Sequence, residues 1–374
     1  MATIQHPADT LIERLSTKDQ RFAPLREQAR QALRERGFPT TREERWRFTN
    51  IAPLLETDYE PAPHAVPAEA PLPEWAQALD PVVVTISNND LLIDDGVHAA
   101  VPEGAFVGNV EDADAAGVDL SRFGTLANHF DDNRFAALAT AAFDDALVVY
   151  LPAGKTLSKP LLVQEHVVAE GDVATTPRIL VIAEAQARLD LLQVQSGDGE
   201  GRSLNLPIVE TWVGAGAQVQ HVTVNTRARP AATLGVVAAE IHGREGAYHW
   251  HSVALGSGFD RTDANAYIRA EQAHATLNGV YLAGEQLNTP RRTAPAMSFS
   301  KACCTARHAR CSTAASMLPA TLKRPIRSSP IRCCCCPTMR YRTPTPSWKS
   351  MPMMCAAHTE PRPGNSMTWR CSTC

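Results

Sequence analysis

The chain has 374 residues and a formal net charge of -4, with 20% charged and 44% hydrophobic residues, enough for two domains and a sizeable core. The charge is split: residues 291–374 hold 14 Lys and Arg against one acid, Glu360, leaving 22 basic and 39 acidic residues before them, so the body stands near -17 and the tail near +13. An acidic body excludes the concentrated positive charge that nucleic-acid binding needs, and all ten cysteines lie at or beyond Cys303, so the body has no disulfide framework.

Residues 7–36 carry Leu11, Ile12, Leu15, Leu25, Ala29 and Leu33 at helical spacing among Arg, Glu and Gln, and Gly37 and Pro39 end that run. Thr40 or Thr41 before Glu43 and Glu44 marks a second helix start leading into Arg45-Trp46-Arg47-Phe48. An N-terminal helical region over 1–60 is therefore expected, followed by a Pro-rich linker over 61–75. From Val82 the pattern becomes strand-like, with a partly helical stretch over 121–143.

From Leu161 to Leu282 short alternating segments follow one another: LLVQEHVV, RILVIAE, RLDLLQVQS, QVQHVTVNT, YHWHSVALG and LNGVYLAG. Small-residue corners recur at Ala187, Ala217, Ala247 and Ala275, spaced 30, 30 and 28 residues apart. A period near 30 with several short strands per repeat predicts a mainly β chain with a β-helix (solenoid) core over 76–286; a sandwich is the alternative. Ala and Gly at the corners let successive coils approach closely.

Residues 287–374 show neither a helical nor a strand period, and an irregular tail is expected there. The genetic code explains its composition. Taking the last base of each codon with the first two of the next, every Cys-Cys step in 333–336 must read Leu, whatever the synonymous codon. In the same shifted frame Trp348-Lys349 must read Glu, Met351-Pro352 Ala, Met353-Met354 Asp, Met354-Cys355 Val and Met367-Thr368 Asp. The tail is read as out of frame, with the break near 284–290.

Three segments carry a family resemblance: GFPTTREERWRFTNIAPLL (37–55), FAALATAAFDDALVVYLPAGKTLSKPLLV (135–163) and GVYLAG (279–284). In this order they resemble the SufB/SufD proteins, scaffold subunits of the SUF iron–sulfur cluster assembly machine, over residues 10–286. The short N-terminal part and cysteine-free body look more like the SufD branch. The shifted tail reads like that branch's C-terminal end, including a Cys-x-His-Gly-Ala-Thr segment.

The resemblance implies a non-catalytic, cytoplasmic scaffold that pairs with SufB through the β-helix and engages the ATPase SufC through a C-terminal helical region. The chain alone is expected to bind no cofactor; the complex would handle the cluster, and SufC would use ATP. Because the family's Cys/His segment and the SufC-binding helices fall in the shifted part, the chain is expected to be defective in SufC binding, with its last coil uncapped and prone to aggregate.

No catalytic or metal residue is assigned in the body. His221, His242, His249 and His251 are read as solvent-face histidines, although His249 and His251 share a face at i, i+2. Asp144, Asp145, Asp190 and Asp263 form no acid/base pair and are read as solvated faces or turns. Gly214 and Gly216 sit in a repeat corner and not between a strand and a helix, so they make no phosphate loop. Trp46 and Phe48 are read as packing anchors. Cys333/Cys336 and Cys371/Cys374 have C-x2-C spacing, but the shifted Leu codons account for the run. A polysaccharide-acting β-helix enzyme would need clustered carboxylates and exposed aromatics along one face, which the body does not supply; a purely structural solenoid is the other alternative. No span of about 18 apolar residues and no basic-then-apolar leader is present.

Overall fold

The computed structural model describes residues 7–15, 20–64, 71–228, 230–283, 296–304, 310–319 and 367–370. Two helices open it, α1 (Pro7–Leu15) and α2 (Ala23–Arg36). Pro24 starts α2, and Gly37, at φ 63°, ends it by returning its N–H to the Leu33 carbonyl. A 3-10 turn (Glu44–Trp46) and α3 (Ala52–Leu55) follow, then a two-residue strand, β1 (Glu60–Pro61). β1 already pairs with the solenoid at Val173 and Ala174. The Pro-rich 61–75 is thus held at both ends, since α4 (Glu74–Gln77) buries Ala76 against Leu162 and Leu192; residues 65–70 lie outside the described residues.

The solenoid begins with β2 (Val82–Ser87), closed on its outer edge by antiparallel β3 (Asp90–Leu92). The expected continuous core over 76–286 is then interrupted. Residues 93–146 carry α5 (Asp95–Ala100), β4 (Phe106–Gly108), α6 (Val110–Ala115) and α7 (Arg134–Ala142) before β5 (Leu147–Leu151) resumes the coil. Asp94, Asn109 and Asn133 cap these helices by accepting backbone N–H bonds. Every residue of α7 is buried, which explains why its Ala-rich string shows little amphipathic pattern.

Successive coils follow. The first has β6 (Leu161–Val168), β7 (Val173–Thr175) and β8 (Arg178–Ala183). The second has β9 (Arg188–Asp198), β10 (Ser203–Asn205) and β11 (Ile208–Val213). The third and fourth have two strands each: β12 (Gln218–Asn225) with β13 (Ala231–Ile241), and β14 (Ala247–Ala254) with β15 (Phe259–Ile268). β16 (His274–Ala283) continues the ladder. Pro177 and Pro207 split the early coils, because proline offers no ladder N–H. At the matching site of the third coil stands Gly235, whose absent Cβ would lie 3.2 Å from the Pro207 ring, and β13 runs through unbroken.

Strands of successive coils pair in parallel and stack into two sheets. In the first sheet β13 joins both the β7–β10 and the β5–β8–β11 lanes; the second runs β3, β2, β6, β9, β12, β14, β16. Inside lie Val84, Leu161, Val163, Val181, Leu191, Val209, Val219, Val237, Trp250 and Ile268, all nearly inaccessible; each buried aliphatic of this kind contributes about 1.5–3 kcal/mol. The outer face of the first sheet is covered by the helical layer. Leu11 and Ile12 of α1, with Ala29 and Leu33 of α2, share one core with Phe135, Leu138 and the sheet residues Leu204, Leu234 and Val236.

The corner register differs from the simple repeat. Arg188, Gln218, Ala247 and His274 are in register, so the coils measure 30, 29 and 27 residues. Ala187 and Ala217 do occupy equivalent corners, but the next are Gly246 and Ala273; Ala247 and Ala275 stand one and two places further on. The strand alternation holds while the corners change length, with a net loss per coil, which a fixed period cannot express. Gly243 makes the close approach: a Cβ there would sit 1.9 Å from the Ala215 nitrogen.

Beyond Ala283, β17 (Ala296–Cys304) pairs with β15, β18 (Arg310–Pro319) with β16, and β19 (Met367–Arg370) antiparallel with β18. The rest of the 287–374 tail, including Cys333–Cys336, lies outside the described residues.

Candidate functional site

The polar side chains converge inside the solenoid. Three columns run along the inner face of the second sheet: Leu161, Leu191, His221, Trp250, Leu277; then Val163, Gln193, Thr223, Ser252, Gly279; then Glu165, Gln195, Asn225, Ala254, Tyr281. The bore is thus apolar along one side and polar along the other. Glu165 is 2% exposed and accepts from Gln193 Nε2, from Gln195 Nε2 at 2.9 Å and from Arg227 Nη2 at 3.1 Å. Each donor comes from a later coil, so the carboxylate ties coils together.

His221 sits fully buried in the same network, which corrects the solvent-face reading. Tyr248 donates its hydroxyl to Nδ1 at 2.9 Å, and Nε2 reaches Gln193 Oε1 at 3.1 Å. Those partners satisfy a neutral imidazole, and burial, followed by the neighbouring His251, pushes its pKa down to about 3. Trp250 Nε1 donates to Thr223 Oγ1 at 3.0 Å. Asp260 accepts from Asn225 Nδ2 at 2.7 Å; burial pushes its carboxyl up to about 6, against the opposing pull of Asn225 and Arg227. Arg227 leaves Nε and Nη1 without a hydrogen-bond partner among the described residues. The motif pattern missed this network, although polar residues at i, i+2 in QVQ and HVTVN carried its signal.

The other predicted positions separate. His242 lies half-buried beside Trp212, their ring centroids 6.0 Å apart. His249 and His251 do share the outer face of the second sheet and are half-buried. Asp263 is buried, not solvated: it accepts from Asn133 Nδ2 at 2.9 Å and meets Arg261 and Arg45 at 3.4 and 3.5 Å. Asp145 accepts the Ala146 N–H, and with Asp144, Asp90, His64 and His98 lines an open groove of about 670 Å³. Asp190 is exposed on β9. Gly214 and Gly216 occupy a coil corner, Gly216 at φ 64°.

Trp46 is the anchor expected, 2% exposed, with the Arg261 guanidinium 3.9 Å over its ring. Phe48 is not: it is 89% exposed, between Trp46 and Ile51, which both enter the helical core. Among the described residues no three His, Cys, Asp or Glu side chains stand close enough to hold a metal together, and no helix is long and apolar enough to cross a membrane.

Two family models tile the chain: the SufBD protein N-terminal region over residues 8–163 and the SUF system FeS cluster assembly, SufBD core domain over residues 166–306. The helical layer and insertion fall in the first, and the parallel coils in the second. The chain belongs to the SufB/SufD family. It is also 22% identical over 231 residues to protein ABCI7, chloroplastic, of Arabidopsis thaliana, a match covering 57% of this chain and 47% of that protein. The chain thus aligns with about half the length of that curated relative.

Proposed function

We propose that this chain is a SufD-type scaffold subunit of the SUF system, acting without catalysis of its own in iron–sulfur cluster assembly. The observation that carries the reading is the tandem match of both SufBD models, in order, over one helical layer and one solenoid. The cysteine-free body supports the SufD branch over SufB, since it has no thiolate to hold a cluster. Its buried carboxylates Glu165 and Glu210 each accept from side chains of another coil, as in a rigid scaffold. In this reading the partners are SufB, along the solenoid, and the ATPase SufC, and the protein works in the cytoplasm.

The reading includes a coding defect. Residues beyond the break near 284–290 are the family's own C-terminus translated one register off, which the forced Leu, Glu, Ala, Asp and Val readings support. The core-domain match runs to residue 306 in the frame as written, past the proposed break. The test is to restore the frame at codons 284–290 and co-express the product with SufB and SufC. A co-purifying three-component complex is expected from the restored chain, and loss of SufC from the chain as written. Failure of the restored chain to hold either partner overturns the SufD assignment. A gene with no base gained or lost relative to intact relatives overturns the frameshift.

A further inference from the structure

We propose that His249 and His274 form a two-imidazole binding site for a divalent late-transition-metal ion on the outer face of the second sheet. β14 and β16 are parallel neighbours in which Ala247 pairs with His274, so His249 stands two residues along on the same face. The two rings lie 5.3 Å apart at their centroids, inclined by 52°. An ion takes imidazole nitrogen at about 2.0–2.1 Å, which places two rings sharing one tetrahedral ion with centroids about 5 Å apart. The pair is therefore close to chelating distance as it stands, and both rings are carried by rigid ladder strands.

The surrounding chemistry favours a ligand role. Both side chains are half-buried on the outer face, reachable from solvent yet held. Thr276 Oγ1 lies 3.1 Å from His274 Nε2 and orients that ring, as partners beyond the ligands do in metal sites. His251 is otherwise occupied, its Nδ1 accepting from Asn278 Nδ2 at 3.1 Å. Water would complete the coordination, because no third protein ligand stands within reach among the described residues. Neutral imidazoles suit Cu²⁺, Zn²⁺, Ni²⁺ and Fe²⁺. The coil spacing of 27 residues, and no local motif, brings these histidines together.

This site stands independently of the SufD reading. The test is a Cu²⁺ titration of the full chain, with its tail cysteines alkylated first, read by electron paramagnetic resonance for nitrogen coupling. One equivalent with a two-imidazole signature is expected. His249→Gln or His274→Gln each removes one nitrogen and weakens binding at least tenfold, while His251→Gln changes it less than threefold. The melting curves of the metal-free variants, matched to the parent, show that folding is retained. The frame-restored chain gives the same histidine-dependent signal and serves where the written chain aggregates. No saturable two-nitrogen signal in the parent, or one that survives both substitutions, overturns the proposal.

Discussion

The helical seam and the bore both bury a carboxylate beside a guanidinium, and they do so for different ends. At the seam Glu210, on the outer face of the first sheet, meets Arg178 at 2.8 Å and accepts the backbone N–H groups of Gly124, Leu126 and Ala127 at 2.9–3.0 Å. Its three backbone partners lie in the insertion, so it fastens non-solenoid chain to the solenoid. In the bore Glu165 meets Arg227 at 3.1 Å, and its other donors are glutamines of the next coil. Its partners lie along the axis, so it holds coils in step. A buried charge without donors is costly, and each carboxylate therefore marks where the fold must not slip.

Breaking the seam is expected to have the larger effect. Glu210→Ala leaves Arg178 charged and buried and orphans three N–H groups; a loss of about 3–5 kcal/mol is expected by urea unfolding. Hydrogen exchange at residues 124–127 should rise with it. Protection unchanged there would show that the insertion is held by apolar packing alone. In the bore Arg227→Met alone should cost about 3 kcal/mol, whereas Arg227→Met with Glu165→Met should recover part of the loss, because the carboxylate paired with Arg227 goes with it while Asp260 still loses that cation. Additive losses would mean that packing, not charge, governs that site.

The smallest expected effect is on pH dependence, where two bore groups oppose each other. Asp260, with its folded pKa raised to about 6, adds stability that is full below the ordinary carboxylate range and is lost as pH rises through 6. His221, depressed to about 3, adds stability that is full above the ordinary imidazole range and is lost as pH falls toward 3. Between pH 4 and 6 the slopes partly cancel. Asp260→Asn should unmask a stability that falls as acid is added, and His221→Gln one that rises, each by about 1–2 kcal/mol over that window. Identical pH profiles for parent and both variants would remove these two groups as titrating elements.

Much of the fold was legible because its signals are local. Apolar spacing marks α1 and α2, Gly37 marks a stop, and alternation marks the coil strands. The bore was not legible in the same way. Alternation divides His221, Thr223 and Asn225 from Val222 and Val224, but it does not say which set faces inward. Polar residues are ordinarily assigned to solvent, and here the helical segment at Ala76 and the valines cover the outer face instead. Phe48 fails in the opposite sense, because an aromatic in a helical motif is ordinarily assigned to the core.

The amino-acid sequence by itself determined the helical start, the stacked parallel coils, the family to which they belong and the compositional break of the tail. All of these rest on residue type and spacing along the chain. Tertiary structure alone decided that residues 93–146 leave the coil and return, that Glu165 and Arg227 meet inside it, and that His274 lies beside His249. Those contacts join residues a coil or more apart. Their register depends on coils of 30, 29 and 27 residues, whose corners change length without disturbing the alternation on either side.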